Sequence, residues 1–446
     1  MRLSVVGGGL AGSEAAWQAA ERGVQVTLFE MRPATRTPAH VTGNLAELVC
    51  SNSLGSVLPH RAPGVLKAEL EQLGSLLLAC ARTHAVPAGT ALAVDRTHFA
   101  DSVTCAIESH PNISVRREEA TTILAEADFP TVIASGPLTS DSLAESLQQL
   151  TGQEALSFFD ALAPIVSHDS IDMETAFRAS RHDKDGSEGD YINCPMTEAE
   201  YERFWQALVS AEQTPMRDFE HARFFEGCLP VEEIASRGRE SLLFGPLRPI
   251  GLTDPRTGER PFAVVQLRQD NLAATLYNLV GFQTNLRWSE QERVFRLIPG
   301  MERASIVRFG QMHRNTFLNS PTILQPTLQA RRHAHLFFAG QITGVEGYVG
   351  SIATGLVAGL NAARLLMGDH PVILPPATML GALIHYVTHA EIKSFQPMKA
   401  NFGLLAPPTH RLHKQERYRY YAERAAKAMT RLIQDAGITP LVPMVQ

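Results

Sequence analysis

Two of the five cysteines stand in surroundings that could support chemistry. Cys50 in LAELVCSNSL has apolar residues before it and small polar residues after it, whereas a buried structural cysteine usually keeps apolar company. Cys228 in EGCLPVEE follows a glycine and precedes Leu-Pro, which predicts a turn. An ionised thiol is a strong nucleophile, but most cysteines are inert packing residues. The residues around the two thiols leave both interpretations open.

A nucleotide-binding pattern precedes Cys50. LSVV at 3–6 predicts a buried strand, and GGGLAG follows it with three glycines at G-x-G-x-x-G spacing. A helix of small residues and a second strand ending in Glu30 complete the unit. In this pattern the glycines allow the turn and the approach of a pyrophosphate, and the acid takes ribose hydroxyls. The dinucleotide contacts expected here are Gly7, Gly8, Gly9, Leu10, Ala11, Gly12, Glu30 and Arg32.

A second stretch, 334–366, predicts a strand (LFFAG), a loop and a long helix rich in small residues. Its layout resembles the closing segment of two-dinucleotide-fold flavoproteins, and FPTVIASGPLTS at 129–140 is a shorter strand-glycine signal. We therefore expect an α/β, Rossmann-like FAD domain made of residues 1–140 and 325–446. The alternative for 334–366 is an ordinary buried strand and helix. The further cofactor contacts expected are Gly136, Gly340, Gln341, Gly347, Tyr348 and Ser351.

The intervening residues, 141–324, predict an inserted α+β domain that contacts the substrate. TEAEYERFWQALVSAEQT begins with a threonine that is followed three residues later by Glu200, which predicts a capping box at a helix start. FAVVQLRQDN and LYNLVGFQTNL alternate like strands. The polar, glycine-rich stretch 179–196 predicts a loop.

The composition narrows the class of protein. Hydrophobic residues make up 44% and charged residues 19%, which is ordinary for a globular enzyme. No apolar run reaches the ~18 residues of a membrane span, and the chain opens on a strand, so we expect neither a membrane anchor nor a signal peptide. The cysteines never stand in C-x-x-C spacing, which predicts no disulfide framework, no metal cluster and a reducing, cytoplasmic location.

One basic stretch contrasts with the formal net charge of −6. Residues 399–431 hold eight lysines and arginines against two glutamates, with three tyrosines interleaved. The acidic total argues against a dedicated nucleic-acid-binding domain but leaves room for a local basic surface. This stretch is therefore either a helix facing a phosphate backbone or an ordinary solvated helix face.

Six segments in order along the chain resemble the folate- and FAD-dependent tRNA (uracil-5-)-methyltransferases, the TrmFO family. They are VVGGGLAGSEAAWQAAERGVQVTLFEMRP, LAELVCSNSL, EGCLPVEE, GPLRPIGL, FAVVQLRQDN and GQITGVEGYVGSIATG. The resemblance implies methylation at C5 of the T-loop uridine, position 54, in the T-arm of tRNA. It implies 5,10-methylenetetrahydrofolate as the donor, FAD as the cofactor, and NADPH or NADH as the reductant of the flavin.

The resemblance also gives both cysteines a role. A thiolate that adds to uracil C6 makes C5 nucleophilic toward the methylene group, which the family transfers by way of the flavin. A base then removes the C5 proton. The motif match assigns Cys228 as the nucleophile and Cys50 as the base or second thiol, and the reverse assignment stays open. For the folate we expect the region of Gly347 and Tyr348, where a pterin could stack on the ring.

Two features depart from the family pattern. Gly350 in GYVGS stands where an acid is expected, and SIATG varies the usual start of the helix.

Two other functions remain as alternatives. A flavin oxidoreductase for a small molecule would need neither cysteine. A non-catalytic tRNA-binding protein would keep flavin without methyl transfer. The oligomeric state stays open.

Overall fold

The structure is a computed structural model that describes residues 1–37, 39–123, 129–152, 156–181, 189–215 and 229–443. The strands are β1 (Arg2–Val6), β2 (Gln25–Phe29), β3 (Ser53–Ser56), β4 (Ala85–Val86), β5 (Ala91–Val94), β6 (Ile113–Arg116), β7 (Thr131–Ile133), β8 (Leu156–Ala161), β9 (Ile165–Ser167), β10 (Phe177–Ala179), β11 (Tyr191–Met196), β12 (Ala263–Gln269), β13 (Leu276–Leu279), β14 (Ile306–Arg308), β15 (Met312–Phe317) and β16 (Leu336–Phe338). The helices are α1 (Leu10–Ala20), α2 (Ala62–Leu73), α3 (Leu76–Thr83), α4 (Arg96–Glu108), α5 (Asp141–Thr151), α6 (Glu198–Val209), α7 (Val231–Ser236), α8 (Trp288–Phe295), α9 (Ser320–Ile323), α10 (Tyr348–Leu366), α11 (Met379–His389) and α12 (Lys414–Asp435).

A parallel sheet with the strand order β16-β7-β1-β2-β6 forms the centre of the first body. Its strands are short, and β7 and β16 are buried throughout, as expected for a parallel sheet covered on both faces. Val5 of β1 lies opposite Leu28 of β2 on one side and Val132 of β7 on the other. The predicted α/β class, a Rossmann-like sheet with an inserted α+β body, is confirmed. Strand β16 lies in the same sheet as β1.

Helices α1 and α10 pack directly on each other beside this sheet. A Cβ on Gly355 would lie 2.2 Å from the Ala11 carbonyl oxygen, and one on Gly359 would lie 2.3 Å from that of Ala15. The small residues of α10 are therefore what allows the two helices to touch. By length and composition α10 alone among the described helices could cross a membrane, but 83% of its apolar window is buried inside the protein.

An antiparallel sheet with the order β10-β11-β12-β13-β9-β14 forms the second body, and α6 packs against β11, α7 and α8. The predicted capping box is confirmed at the start of α6. The Thr197 hydroxyl accepts from the backbone N–H of Glu200, and the Glu200 carboxylate accepts from the backbone N–H of Thr197. This pairing satisfies two backbone donors at the helix start.

The prediction of a loop over 179–196 is wrong at its C-terminal end. Tyr191–Met196 form β11, which pairs with β10 on one side and β12 on the other. Every residue from Ile192 to Met196 is buried, so packing into the second core decides the conformation of this segment, as tertiary context often does for strands. Residues 182–188 of the predicted loop lie outside the described residues.

A two-stranded ribbon of β8 and β15 connects the bodies. The strands are antiparallel and pair residue for residue, from Met312 opposite Ala161 to Phe317 opposite Leu156. The fully buried residues of the first core end at Leu147 and resume at Phe317, and those of the second run from Val166 to Ala304. The chain thus leaves the first body and returns to it through neighbouring strands.

Candidate active site

The cradle for a dinucleotide lies where β1 ends and α1 begins. Gly7 has φ +101°, and a Cβ there would lie 2.5 Å from the Ala134 carbonyl oxygen, so the turn requires glycine. The space beside Gly9, in contrast, is open: nothing in the described part of the chain lies within 4 Å of the position that an added Cβ would take. Gly9 is also the N-cap of α1 and gives that helix no side-chain cap. The uncapped N–H groups at the end of α1 are suited to an anionic group such as a pyrophosphate.

Glu30 directly follows β2 and borders the cradle from the other side. Its carboxylate accepts from the backbone N–H of Gly8 at 2.9 Å and from Nε of Arg32 at 2.8 Å. Nη1 of Arg32 donates in turn to Glu47 at 3.1 Å, and the arginine is 2% exposed. Burial alone would raise the pKa of Glu30, but the hydrogen bonds and charge of Arg32 outweigh it and place that pKa below its ordinary value. Glu30 is therefore an ionised acceptor at the cavity wall.

Two adjoining cavities open beside the cradle. The smaller has a volume of about 130 Å³ and the larger of about 290 Å³, and Gln341 and Tyr348 line both. Gly347 and Cys50 line the larger cavity. The smaller is lined by most of the residues that the sequence predicted to contact the cofactor, namely Gly7, Gly9, Leu10, Ala11, Glu30, Arg32, Gly136, Gly340, Gln341, Tyr348 and Ser351. Gly8 and Gly12 line neither cavity and instead allow close packing within the turn.

A second helix also points its N-terminus at the cavities. The N-cap of α10 is Gly347, which has φ +89°, no side-chain cap and, among the described residues, no neighbour within 4 Å of its Cβ position. Gly350, where the family pattern would carry an acid, has room for a side chain. A Cβ there would touch Leu383 at 3.5 Å and Val345 at 3.7 Å, which are ordinary contacts. The surroundings of position 350 therefore accept the Cβ of a larger residue.

Cys50 lies at the wall between the cradle and the larger cavity. Its backbone N–H donates to the hydroxyl oxygen of Tyr348 at 2.7 Å, and that of Ser51 donates to the same oxygen at 3.1 Å. The thiol is partly exposed and points toward the carbonyl oxygen of Ala161, 3.9 Å away. A reachable thiol beside a cofactor cradle is the arrangement that nucleophilic or base chemistry requires.

Asn52 fixes the loop that carries the thiol. It is fully buried, and its amide group donates to the carbonyl oxygens of Val94 at 3.1 Å and of Gln269 at 2.8 Å. Its amide oxygen accepts from Nε of Arg268 at 2.9 Å. The small polar residues after Cys50 thus include a structural clamp between β5 and β12.

Three guanidinium groups surround the Cys50 loop. Arg96 donates to the carbonyl oxygens of Leu48 and Cys50, at 3.0 and 3.3 Å, and Arg308 donates to that of Val49 at 2.9 Å. Arg268 is the third, through Asn52. Within the described residues Arg96 pairs with Asp270, whereas Arg268 and Arg308 have no ion-pair partner. Burial lowers the pKa of both, and the charge of Arg96 lowers them further. The surplus of positive charge favours an anion such as a thiolate at this loop.

Cys228 lies outside the described residues, and the residues that follow it are anchored to the cavity wall. The N–H of Val231, the first residue of α7, donates to the carbonyl oxygen of Gln283 at 2.7 Å, and Gln283 lines the larger cavity. The buried carboxylate of Glu232 accepts from the backbone N–H of Asn285 at 2.6 Å and from the hydroxyl of Thr284 at 2.8 Å. Burial raises the pKa of Glu232 to about 7. These bonds join α7 to the wall of the Cys50 cavity.

Sequence reasoning missed the residues that hold the Cys50 loop. Arg268 and Asp270 stand in FAVVQLRQDN, a segment quoted for its resemblance and its strand pattern but given no role there. Charged residues that follow the apolar start of a strand are the one signal that could have marked them. Asn52 carried no such signal, because small polar residues are ordinary in loops.

The fold and the site define a class, namely dinucleotide-binding α/β proteins with an antiparallel second body. A family model described as glucose inhibited division protein A matches residues 2–370. The methylenetetrahydrofolate–tRNA-(uracil-5-)-methyltransferase TrmFO of a Synechococcus strain is 59% identical over 431 residues, covering 96% of this chain and 93% of the relative. That of Bacillus pumilus is 56% identical over 428 residues, covering 96% and 98%. The chain belongs to the TrmFO family.

A solved structure gives the same answer for the fold. The crystal structure of Aquifex aeolicus GidA superimposes with a TM-score of 0.69 at 17% identity, covering 97% of this chain and 73% of that one. At this identity the likeness concerns the fold alone. It covers both the parallel-sheet body and the inserted body.

Proposed function

We propose that the chain methylates C5 of the T-loop uridine of tRNA with the one-carbon unit of methylenetetrahydrofolate, in a reaction that depends on FAD. One observation carries the site assignment. Cys50 lines a cavity of about 290 Å³ that shares Tyr348 and Gln341 with the dinucleotide cradle. The thiol and the cofactor cradle thus border neighbouring cavities, which supports placing the uracil and the pterin there.

The residues present fit an FAD. The glycine positions Gly9, Gly136 and Gly347 face open space, and the uncapped ends of α1 and α10 offer backbone N–H groups to its phosphates. Glu30 offers an ionised carboxylate to ribose hydroxyls. When bound, the flavin supplies reducing equivalents and passes on the one-carbon unit. We propose NADPH or NADH as its reductant, and a pterin position beside Gly347 and Tyr348.

Cys50 works in this proposal with Cys228, one as the nucleophile on uracil C6 and the other as the base or second thiol. Addition of a thiolate to C6 places electron density on C5, and the C5 proton must then leave to a base. The arginines around residues 48–52 favour the anionic form of the Cys50 thiol. The Tyr348 hydroxyl holds the backbone of Cys50 at the cavity wall. Helix α7, which begins three residues after Cys228 in the sequence, is anchored at the wall of the Cys50 cavity. A tRNA substrate implies a cytoplasmic location.

The test uses purified protein, an unmodified tRNA transcript, NADPH and methylenetetrahydrofolate labelled in the methylene carbon. Label at C5 of the T-loop uridine supports the proposal. Cys50→Ala should abolish labelling while the protein keeps its flavin, and Cys105→Ala, an exposed cysteine on α4, should leave it unchanged. Oxidation of NADPH by the flavin-loaded protein without label in the tRNA would overturn the proposal in favour of a small-molecule oxidoreductase.

A further inference from the structure

Three cations converge on one tyrosine ring on the protein surface. Arg61 lies 5.5 Å from the centroid of the Tyr418 ring, Lys414 lies 6.0 Å from it and Arg417 lies 5.9 Å from it. We call Arg61, Lys414, Arg417 and Tyr418 the rim cluster. Each contact is within the range of a cation–π interaction, so the ring holds three like charges together at the surface.

The positive charge of the rim cluster is not neutralised by acids. All three cations are exposed, and none forms an ion pair with a described residue. The acid in the first turn of α12 is Glu416, whose carboxylate accepts from the backbone N–H of His413 in a capping box. Like charges gathered at a surface cost free energy unless an anion offsets them, so the cluster favours an anionic ligand.

The rim cluster lies next to the larger cavity. Arg61 is the N-cap of α2, and Pro63 and Leu66 of that helix line the cavity. On the other side, Ala400 lines the cavity, and Phe402, two residues further on, packs against Tyr418 in a tilted arrangement with 5.1 Å between ring centroids. The same cavity contains Cys50. A macromolecule that brings a base to Cys50 would therefore pass the rim cluster.

The charge continues away from the cavity along α12. Arg424 and Arg431 follow Arg417 at intervals of seven residues, so the three lie on one stripe of the helix about 10 Å apart. Arg424 lies over the rings of Tyr420 and Tyr421, at 5.3 and 5.4 Å from their centroids, and its Nε and Nη2 atoms are buried, so it is less available to a ligand than the exposed Arg417 and Arg431. The apolar stripe of α12 is already buried against the protein, through Tyr421, Ala425 and Met429, so this helix has no apolar face left for a bilayer.

We infer that the rim cluster and the exposed arginines of α12 form the surface on which the phosphate backbone of tRNA docks beside the Cys50 cavity. The inference rests on the proposed function and adds to it the part of the protein that holds the substrate. Spaced cations interleaved with aromatic rings match a regular line of phosphates. The basic stretch 399–431 is then an interface rather than an ordinary solvated helix face.

The test measures tRNA binding and its salt dependence for wild type, for Arg61→Gln, Lys414→Gln and Arg417→Gln singly, and for the triple variant. Removing one cation that binds a phosphate should weaken binding roughly fivefold to tenfold at about 0.1 M salt and reduce the slope of log K against log salt by about 1. The control is Arg2→Gln, which removes the same charge from an exposed residue at the N-terminal end of β1, the end of that strand opposite the cradle. Flavin content and thermal unfolding show that each variant is folded.

The outcomes separate this inference from the proposed function. Weaker binding and a smaller slope in the three variants, with wild-type behaviour of Arg2→Gln, support the docking surface. Unchanged binding in the triple variant, while wild type still methylates tRNA, overturns the docking surface and leaves the function standing. An equal loss in Arg2→Gln also overturns it, because general charge would then explain the effect. A wild-type protein that neither binds nor methylates tRNA would overturn both.

Discussion

The hydroxyl oxygen of Tyr348 accepts the backbone N–H of Cys50 at 2.7 Å, although the two residues are 298 positions apart in the sequence. Tyr348 is the first residue of α10, and it lines both the cradle and the larger cavity. One phenol thus ties the loop that carries the thiol to a helix that borders the cofactor cradle. A substitution at Tyr348 should therefore alter the position of the Cys50 loop, and a change in that loop should alter the start of α10.

Tyr348→Phe should slow methylation more than it lowers flavin content. The substitution keeps the ring but leaves the N–H groups of Cys50 and Ser51 without their acceptor. Each N–H group that water does not reach then costs about 1–3 kcal/mol of folding free energy. The measurements are label transfer to tRNA and the rate of alkylation of Cys50 by mass spectrometry. Tyr386→Phe, which removes one exposed bond to the Gln396 carbonyl oxygen, is the control. Equal label transfer in both variants would contradict the role assigned to the Tyr348 hydroxyl.

Arg308→Gln should make Cys50 less reactive near neutral pH. The guanidinium lies against the Val49 carbonyl oxygen at 2.9 Å without an ion-pair partner among the described residues, so its loss removes positive charge from the loop that carries the thiol. Alkylation of Cys50 at pH 7 should fall roughly threefold to tenfold, and its pH profile should move to higher pH. Arg287→Gln, an exposed arginine already paired with Glu212, should change neither. An unchanged profile in Arg308→Gln would show that the arginines serve the loop backbone alone.

Glu232→Gln should flatten the pH dependence of stability. Burial raises the pKa of Glu232 from 4.5 to about 7, so the folded state prefers the protonated acid. Its contribution to stability is fully present below pH 4.5 and is lost as the pH rises toward 7, in total about 3 kcal/mol. The glutamine can accept from the N–H of Asn285 and donate to Thr284, and it cannot ionise. The free energy of unfolding of wild type minus that of the variant should therefore fall between pH 4.5 and pH 7.

The control for this prediction is Glu233→Gln, the next residue and one that is less buried. Urea unfolding of the three proteins at several pH values provides the comparison. A difference between wild type and Glu232→Gln that stays constant from pH 4.5 to pH 7 would contradict the assignment of the buried acid.

Gly359→Ala should separate α1 from α10. The added Cβ would lie 2.3 Å from the Ala15 carbonyl oxygen, so one helix must move, at a cost of about 1–3 kcal/mol. Since both helices border the cradle, the ratio of bound flavin to protein should fall as well. Gly350→Ala, on the same helix, places its Cβ at 3.5 Å from Leu383 and should change stability by less than about 1 kcal/mol. Similar losses in the two variants would mean that the spacing of the helices is not the cause.

The cradle could be predicted from the sequence because its requirements are local. Gly7, Gly9 and Glu30 lie within one strand-turn-helix-strand unit, and each residue type has one physical reason to stand there. The capping box at Thr197 and Glu200 is local in the same way. Short-range patterns of this kind can be recognised without knowing the rest of the fold.

The surroundings of Cys50 could not be predicted, because they are assembled from distant parts of the chain. Arg96 and Arg308 reach the loop from positions 46 and 259 residues away from their partners. The partnership of Glu30 with Arg32 was also missed, although both are expected cofactor contacts, because the orientation of a side chain is decided by packing. β11 was missed for the same reason, since its neighbours β10 and β12 decide that it is a strand.

The division of the parallel sheet between the two ends of the chain has a consequence for synthesis on the ribosome. The second body is complete once β14 has been made at Arg308, before β16 and α10 exist. Until residue 338 has been added, β7 lacks its outer neighbour β16, and until residue 366 has been added, α1 lacks the complete helix that covers it. During this interval the nascent first body has an unpaired sheet edge and an exposed apolar helix face. Chains with such exposed surfaces are prone to aggregate and depend on chaperones.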